Sequence, residues 1–247
     1  MDYSRRSYRH QVASGMSCFE VKIKETDLQV SVDSESFSQE LVNFTEERIL
    51  FYRTQLEEYL KLDPEFHSTL EPYLVSADAP PIALAMARAG NTAGVGPMAA
   101  VAGTFAELVG LDLRQRVKSV IVENGGDIFL QTTSSSRVAV FAGPSPLCNR
   151  LAVELAPRAK PYGICTSSGT VGPSLSFGRA DAALIVSPSA PLSDAAATAT
   201  ANRIQTADDL TKALDFARSI VGVEGVLLIK DDKLAVWGNI KLAPVKI

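Results

Sequence analysis

Residues 98–109 read as helix, yet one face carries almost no side-chain bulk, because Ala99, Ala100, Ala102, Gly103 and Ala106 fall there. Such a face lets another backbone or a ligand come close, so any fold for this chain must bring a helix or a small molecule onto that stripe. The elements around it are of both kinds. Residues 18–24 and 28–32 alternate apolar and polar and read as a β-hairpin. Residues 37–62 place Leu41, Phe44, Ile49, Leu56 and Leu60 at near-helical spacing, with Pro64 ending the run. Pro80-Pro81 opens a helix over 82–89, which the stretch 90–97 breaks. Short strands follow at 119–123, 128–131, 138–142, 151–155, 163–166 and 182–187, with turn residues between them. Residues 193–203 and 206–221 are helical in pattern, and 226–229 with 234–237 form a hairpin about Asp231-Asp232.

Composition removes several functions. The chain of 247 residues has 24 basic and 28 acidic side chains, a formal charge of −4, which is not the footprint of a nucleic-acid binder or of a protein held on an anionic membrane. A 46% hydrophobic content excludes disorder. Cys18, Cys148 and Cys165 are too scattered for a disulfide framework or a metal cluster. The basic lead MDYSRRSYRHQV runs into polar sequence rather than the apolar core of a secretory signal. The most apolar stretch, 180–201, contains Pro188, Pro191, Asp181 and Asp194, all costly in lipid. A soluble cytoplasmic protein, complete as written, is the expectation.

Four segments combine glycine or hydroxyl residues with an element end: NTAGVGPMAAVAG (91–103), ENGGDIF (123–129), TSSGTVGPSLSFG (166–178) and SDAAATATAN (193–202). Glycines let main-chain N–H groups face a ligand, and a helix N-terminus favours phosphate. Neither G-x-x-x-x-G-K-[ST] nor G-x-G-x-x-G occurs. Asp194 and Thr198 are one helical turn apart, so a carboxylate and a hydroxyl project from one face, a pair of hard oxygens suited to Mg²⁺. The competing reading is a helix cap, with Ser193 or Asp194 closing the helix start. Asn-Gly in ENGGD is a hairpin signal on pattern alone. Nine of the thirteen residues of TSSGTVGPSLSFG are Gly, Ser or Thr, more than a turn needs, which marks a functional or mobile loop.

Taken in order, these segments resemble the ApbE-like family of FAD:protein FMN transferases, and most closely a short branch of it. The family carries a G-I-A-K-G helix, a strand ending N-x-G-G-D, a T-S-G loop and a D-A-x-A-T helix. Here VAGTFAE (101–107), ENGGD (123–127), TSSG (166–169) and DAAAT (194–198) follow the same order. The resemblance implies a single α+β domain over residues 1–247, T-fold-like, with a mixed or antiparallel sheet and packed helices. It implies FAD as ligand or substrate and Mg²⁺ held by Asp194, Thr198 and a backbone carbonyl near residues 100–103. Asn124, Gly125, Gly126 and Asp127 would lie near the flavin or adenosine, with Thr166, Ser167, Ser168 and Gly169 supplying hydroxyl and backbone donors. The implied chemistry is at the pyrophosphate: FMN transfer to an acceptor protein, or hydrolysis to FMN and AMP.

The chain departs from the family where a base would be expected. The segment H-I-I-D-P-x-T-G is replaced by residues 172–191, which hold no histidine, and the lysine of G-I-A-K-G is replaced by Ala102. The two histidines, His10 and His67, lie in the basic lead and beyond the long helix. Asp181 and Glu123 are the acidic candidates for a base, each equally readable as a strand-end charge. Arg179 is a candidate phosphate fork or a surface ion pair; Phe177 and Trp237 are candidate stacking rings, with core packing the better reading for Trp237. The alternatives are a flavin or nucleotide carrier that kept the cleft without chemistry, an accessory factor in metallocofactor metabolism, and a purely structural domain.

Overall fold

The computed structural model describes residues 15–170 and 176–245. His10 and the basic lead therefore lie outside the described residues, as does part of the 166–178 loop. The elements begin with β1 (Met16–Ile23) and β2 (Thr26–Asp33), paired antiparallel as the alternation requires. Along β2, Thr26, Leu28, Val30 and Val32 are buried and the residues between them only partly so. Helix α1 (Gln39–Leu62) starts at Ser38, whose hydroxyl accepts the Leu41 amide at 3.2 Å, and buries Leu41, Thr45, Ile49, Tyr52 and Leu56 along one stripe. Pro64 ends that helix and opens the short α2 (Pro64–Ser68), where His67 is exposed.

Helix α3 (Pro81–Ala93) runs four residues past the expected end. Gly90 is not the break: a Cβ there would stand 2.7 Å from the Val95 carbonyl oxygen, so its glycine serves the returning chain. The terminator is Gly94, in the left-handed conformation at φ 75 with its amide bonded to Gly90 O. A 3-10 turn, Pro97–Ala100, leads into α4 (Val101–Leu113), the small-residue helix.

Strands β3 (Val120–Asn124), β4 (Asp127–Gln131), β5 (Ser136–Ala139), β6 (Leu151–Leu155), β7 (Tyr162–Ser167) and β8 (Ala182–Ser187) follow. Helix α5 (Ala190–Ala201), a 3-10 turn and α6 (Leu210–Ser219) precede β9 (Gly225–Lys230), β10 (Lys233–Gly238) and β11 (Lys241–Pro244). Eight strands form one sheet in the order β1-β2-β3-β4-β7-β8-β9-β10, and β11-β6-β5 form a second, with every pairing antiparallel. The fold is α+β, as expected, and of the two expected sheet types the antiparallel one is found.

The helices cover one face of the large sheet and the small sheet covers part of the other. On β8, Ala183 and Ile185 enter the helix-side core while Ala182, Leu184 and Val186 enter the core beneath the small sheet; on β9, Val226 and Leu228 face one way, Leu227 and Ile229 the other. Burial on both faces is why this region reads as an unbroken apolar run. The stretch 180–201 is thus a two-sided core strand followed by a helix. Among the described residues no single helix is long and apolar enough to cross a membrane. Trp237 packs against the helix-side core.

Candidate functional site

The partner of the small-residue stripe is α5. At Gly103 a Cβ would strike the Ala190 carbonyl and stand 2.8 Å from the Asp194 Cβ, and at Gly110 it would enter the ring of Phe129 on β4. Ala190 is also pressed from the sheet side, where a Cβ on Gly163 of β7 would collide with its backbone nitrogen. Helix α5 is therefore seated between α4 and β7 at backbone contact, with glycine on both sides.

Two carboxylates lock this seat reciprocally. Glu107 on α4 accepts the Ala190 amide at 2.6 Å, serving the N-terminus of α5. Asp194 on α5 accepts the Gly103 amide at 2.8 Å, serving the N-terminus of α4. Each helix thus satisfies an orphan first-turn N–H of the other, and each carboxylate sits at the positive end of a helix dipole. The cap reading of Asp194 is corrected accordingly. Its own helix begins at Ala190, with Ser189 as the boundary residue, so Asp194 lies in the second turn and caps the neighbouring helix instead. Ser193 does not cap α5 either: its hydroxyl donates to Gly163 O at 2.9 Å.

The four motif segments meet at the Asp194 end of this seat. The Asn124 side chain donates to Ala102 O at 3.1 Å, tying the β3–β4 turn to the start of α4. In that turn Gly125 and Gly126 have φ of 69 and 106, conformations glycine alone adopts readily, and the Gly126 amide donates to Glu123 Oε1 at 2.7 Å. Asp127 pairs in register with Cys165 on β7, and a Cβ on Gly126 would stand 3.7 Å from Thr166 O. Thr166 and Ser167 end β7; Ser168 and Gly169 then bind back to Ala180 O, through the Ser168 hydroxyl at 3.2 Å and the Gly169 amide at 2.9 Å. Thr198, half-buried, lies one turn beyond Asp194 on α5.

The electrostatics of this meeting point are those of crowded negative charge. Burial pushes the Asp194 carboxyl up to about 7, against the pull of the Gly103 and Ala102 amides. Burial raises Asp127 well above the usual carboxylate range, and the Asp194 charge raises it further, with the Cys165 thiol opposing and Glu123 adding to the rise. Burial, then Asp127 and Asp194, hold the Cys165 thiol above its ordinary value; its Sγ donates to Ala190 O at 3.3 Å. Among the described residues, no lysine, arginine or histidine is among the groups acting on either aspartate. Asp127, assigned from sequence to the flavin or adenosine side, is thereby also the charge neighbour of Asp194.

The two acidic candidates for a base fall differently. Glu123 belongs to this meeting point through the glycine turn. Asp181 is fully buried elsewhere: it accepts the Asp231 amide at 2.6 Å and the Thr170 hydroxyl at 3.2 Å, and lines a surface pocket with Pro144, Ser145, Pro146, Asp231 and Asp232. Those bonds make it an anchor for the β9–β10 turn.

Sequence reading missed Glu107. Burial lifts its carboxyl to about 6, opposed by the Ala190 amide and the Ser189 hydroxyl. Because the folded value exceeds the unfolded one, the folded state holds the extra proton between about pH 4.5 and 6, and stability falls as pH rises through that window. The cost above it is about 2 kcal/mol. Glu107→Gln keeps an oxygen for the Ala190 amide and removes the charge. Urea unfolding in chelator at pH 5 and pH 7.5 should show a smaller loss of stability in the variant than in the wild type; an equal loss would contradict this account of Glu107.

A sequence model of the family described as "AbpE bacteria" matches residues 9–236. A UPF0280 protein of Methanococcoides burtonii is 40% identical over 221 residues, 89% of this chain and 91% of its own. Another, from Methanocella arvoryzae, is 47% identical over 189 residues, 76% of this chain and 77% of its own. The crystal structure of Pseudomonas stutzeri flavinyl transferase ApbE, apo form, superposes with a TM-score of 0.52 at 12% identity, covering 90% of this chain and 94% of that one, so the two share a fold. By the span of the family match and the identity to these relatives, the chain belongs to the ApbE-like family described as "AbpE bacteria", in company with the UPF0280 proteins.

Proposed function

We propose that this protein binds FAD, or a related pyrophosphate-linked nucleotide, together with Mg²⁺ at the meeting point of α4, α5 and the β3–β4 turn. The observation that carries this reading is the pair of neighbouring carboxylates, Asp194 raised by burial and Asp127 raised by burial and by the Asp194 charge, with no basic side chain among the described residues acting on them. A divalent cation relieves that crowding. The donor chemistry fits Mg²⁺: the Asp194 carboxylate and Thr198 hydroxyl are hard oxygens one turn apart. Mg²⁺ held by two protein oxygens would complete its shell with water and substrate phosphate.

In this reading Asp194 and Thr198 hold the ion, which when bound supplies Lewis-acid stabilisation at the pyrophosphate. Of the expected donors, the Gly126 amide is taken by Glu123 and the Ser168 hydroxyl and Gly169 amide by Ala180 O, so Gly125, at a turn held in place by Asn124, and the Thr166 and Ser167 hydroxyls at the facing strand end are the ones assigned to the ligand. Glu123, in the same turn, is the better placed of the two acidic candidates to move a proton. Cleavage with FMN passing to an acceptor protein, or to water, is the activity that follows. The non-catalytic carrier is the second reading, favoured by the absence of a histidine from residues 172–191 and by Asp181 serving a turn. The test is calorimetry of FAD binding in excess Mg²⁺ and in chelator, followed by analysis for FMN and AMP. Metal-dependent, saturable binding supports the site, and products decide between enzyme and carrier; no binding in either condition overturns both.

A further inference from the structure

The segment Phe177-Gly178-Arg179 has a fixed backbone and two side chains left outside. The Phe177 amide donates to Asn202 Oδ1 at 2.9 Å, and its carbonyl accepts the Gln205 side-chain amide at 2.8 Å. Gly178 is buried so tightly that a Cβ there would collide with Ala201 O. The Arg179 amide donates to Ile204 O at 2.6 Å. Yet the Phe177 side chain is 58% exposed, and Arg179 is exposed, its guanidinium without a hydrogen-bond or ion-pair partner among the described residues. The main chain is thus fixed where it projects an exposed phenyl and an exposed guanidinium two residues apart, neither of which gains burial by folding.

Their location relates them to the site. Asp194, Thr198 and Asn202 follow one another at intervals of four residues, so they fall along one stripe of α5 and its C-terminal boundary. Asn202 holds Phe177 one helical turn beyond Thr198, about 5 to 6 Å along the axis. In a nucleotide a ribose or ribityl chain joins the pyrophosphate to a planar ring, so with the pyrophosphate at Asp194 and Thr198 a ring comes within reach of a side chain held about one helical turn further on.

Resting on the nucleotide-binding reading above, we propose that Phe177 and Arg179 form the recognition edge of the site. Phe177 stacks on a planar heteroaromatic ring of the ligand, and Arg179 pairs with phosphate oxygens. The two rings of FAD, adenine and isoalloxazine, share this chemistry, and FMN and ADP as separate probes tell them apart.

The experiment measures binding of FAD, FMN and ADP to the full chain in Mg²⁺, by calorimetry and by quenching of flavin fluorescence, for wild type, Phe177→Ala, Phe177→Trp and Arg179→Gln. Phe177→Ala should weaken FAD by roughly 10- to 100-fold, the usual size of one stacked ring, with Phe177→Trp retaining affinity. An accompanying loss of FMN but not ADP assigns isoalloxazine, and the reverse assigns adenine. Arg179→Gln should weaken every phosphorylated probe that reaches the edge. Unchanged unfolding temperatures show that the variants remain folded, as exposure of both side chains predicts. Wild-type FAD binding with wild-type affinity in Phe177→Ala and Arg179→Gln overturns the recognition edge while leaving the nucleotide site standing. Failure of the wild type to bind any of the three probes overturns both.

Discussion

Gly103→Ala will destabilise the protein by about 2 kcal/mol or more, the cost of forcing a methyl group into a closed contact. In an ordinary helix the same change gains up to about 1 kcal/mol, because alanine is the better helix former. Here the added Cβ meets the Ala190 carbonyl and the Asp194 Cβ, neither of which can retreat, since Ala190 already rests against Gly163. The strain must separate α4 from α5, which also withdraws the Gly103 amide from Asp194. Denaturant unfolding checks this, and a stabilised variant would show that the helices are not in backbone contact.

The second large effect separates stability from binding at Asp194. Asp194→Asn retains an oxygen for the Gly103 amide and removes a buried charge that Asp127 opposes. It should leave the metal-free protein as stable as the wild type at pH 7.5, or more so, while reducing Mg²⁺-dependent FAD affinity by about two orders of magnitude, as expected for loss of a charged ligand to a hard cation. Asp194→Ala should do both kinds of harm, leaving first-turn amides of α4 without their acceptor at a cost of about 1–3 kcal/mol. A wild-type Mg²⁺ requirement in Asp194→Asn would place the ion elsewhere.

Local patterns were legible in the sequence because local physics decides them. The β1–β2 alternation and the α1 stripe each bury one face, and periodicity reports that directly. The errors have a common origin in packing. Gly90 reads as a helix breaker but is a packing residue, and α5 begins before its expected start because Pro191 is tolerated in a first turn. Strand β11, four residues of KLAP, owes its form to pairing with β6 rather than to its own pattern.

At the site, residue types and their order were legible, and their convergence was not. The small-residue stripe left open whether a helix or a ligand covers it; α5 covers it, and its Asp194 side chain holds the Gly103 amide. The reciprocal caps join residues 83 and 91 positions apart, and no motif spacing encodes such a pair. The closeness of Asp127 to Asp194 likewise follows from the β4–β7 register and the seat of α5.

The most direct measurement is diffraction from crystals grown with FAD and Mn²⁺ in place of Mg²⁺, using the anomalous signal of manganese. The expected result is one strong peak bonded to the Asp194 carboxylate and the Thr198 hydroxyl, with the FAD pyrophosphate completing its shell. Bound FAD with no ion at Asp194, or manganese at another site, would contradict the account.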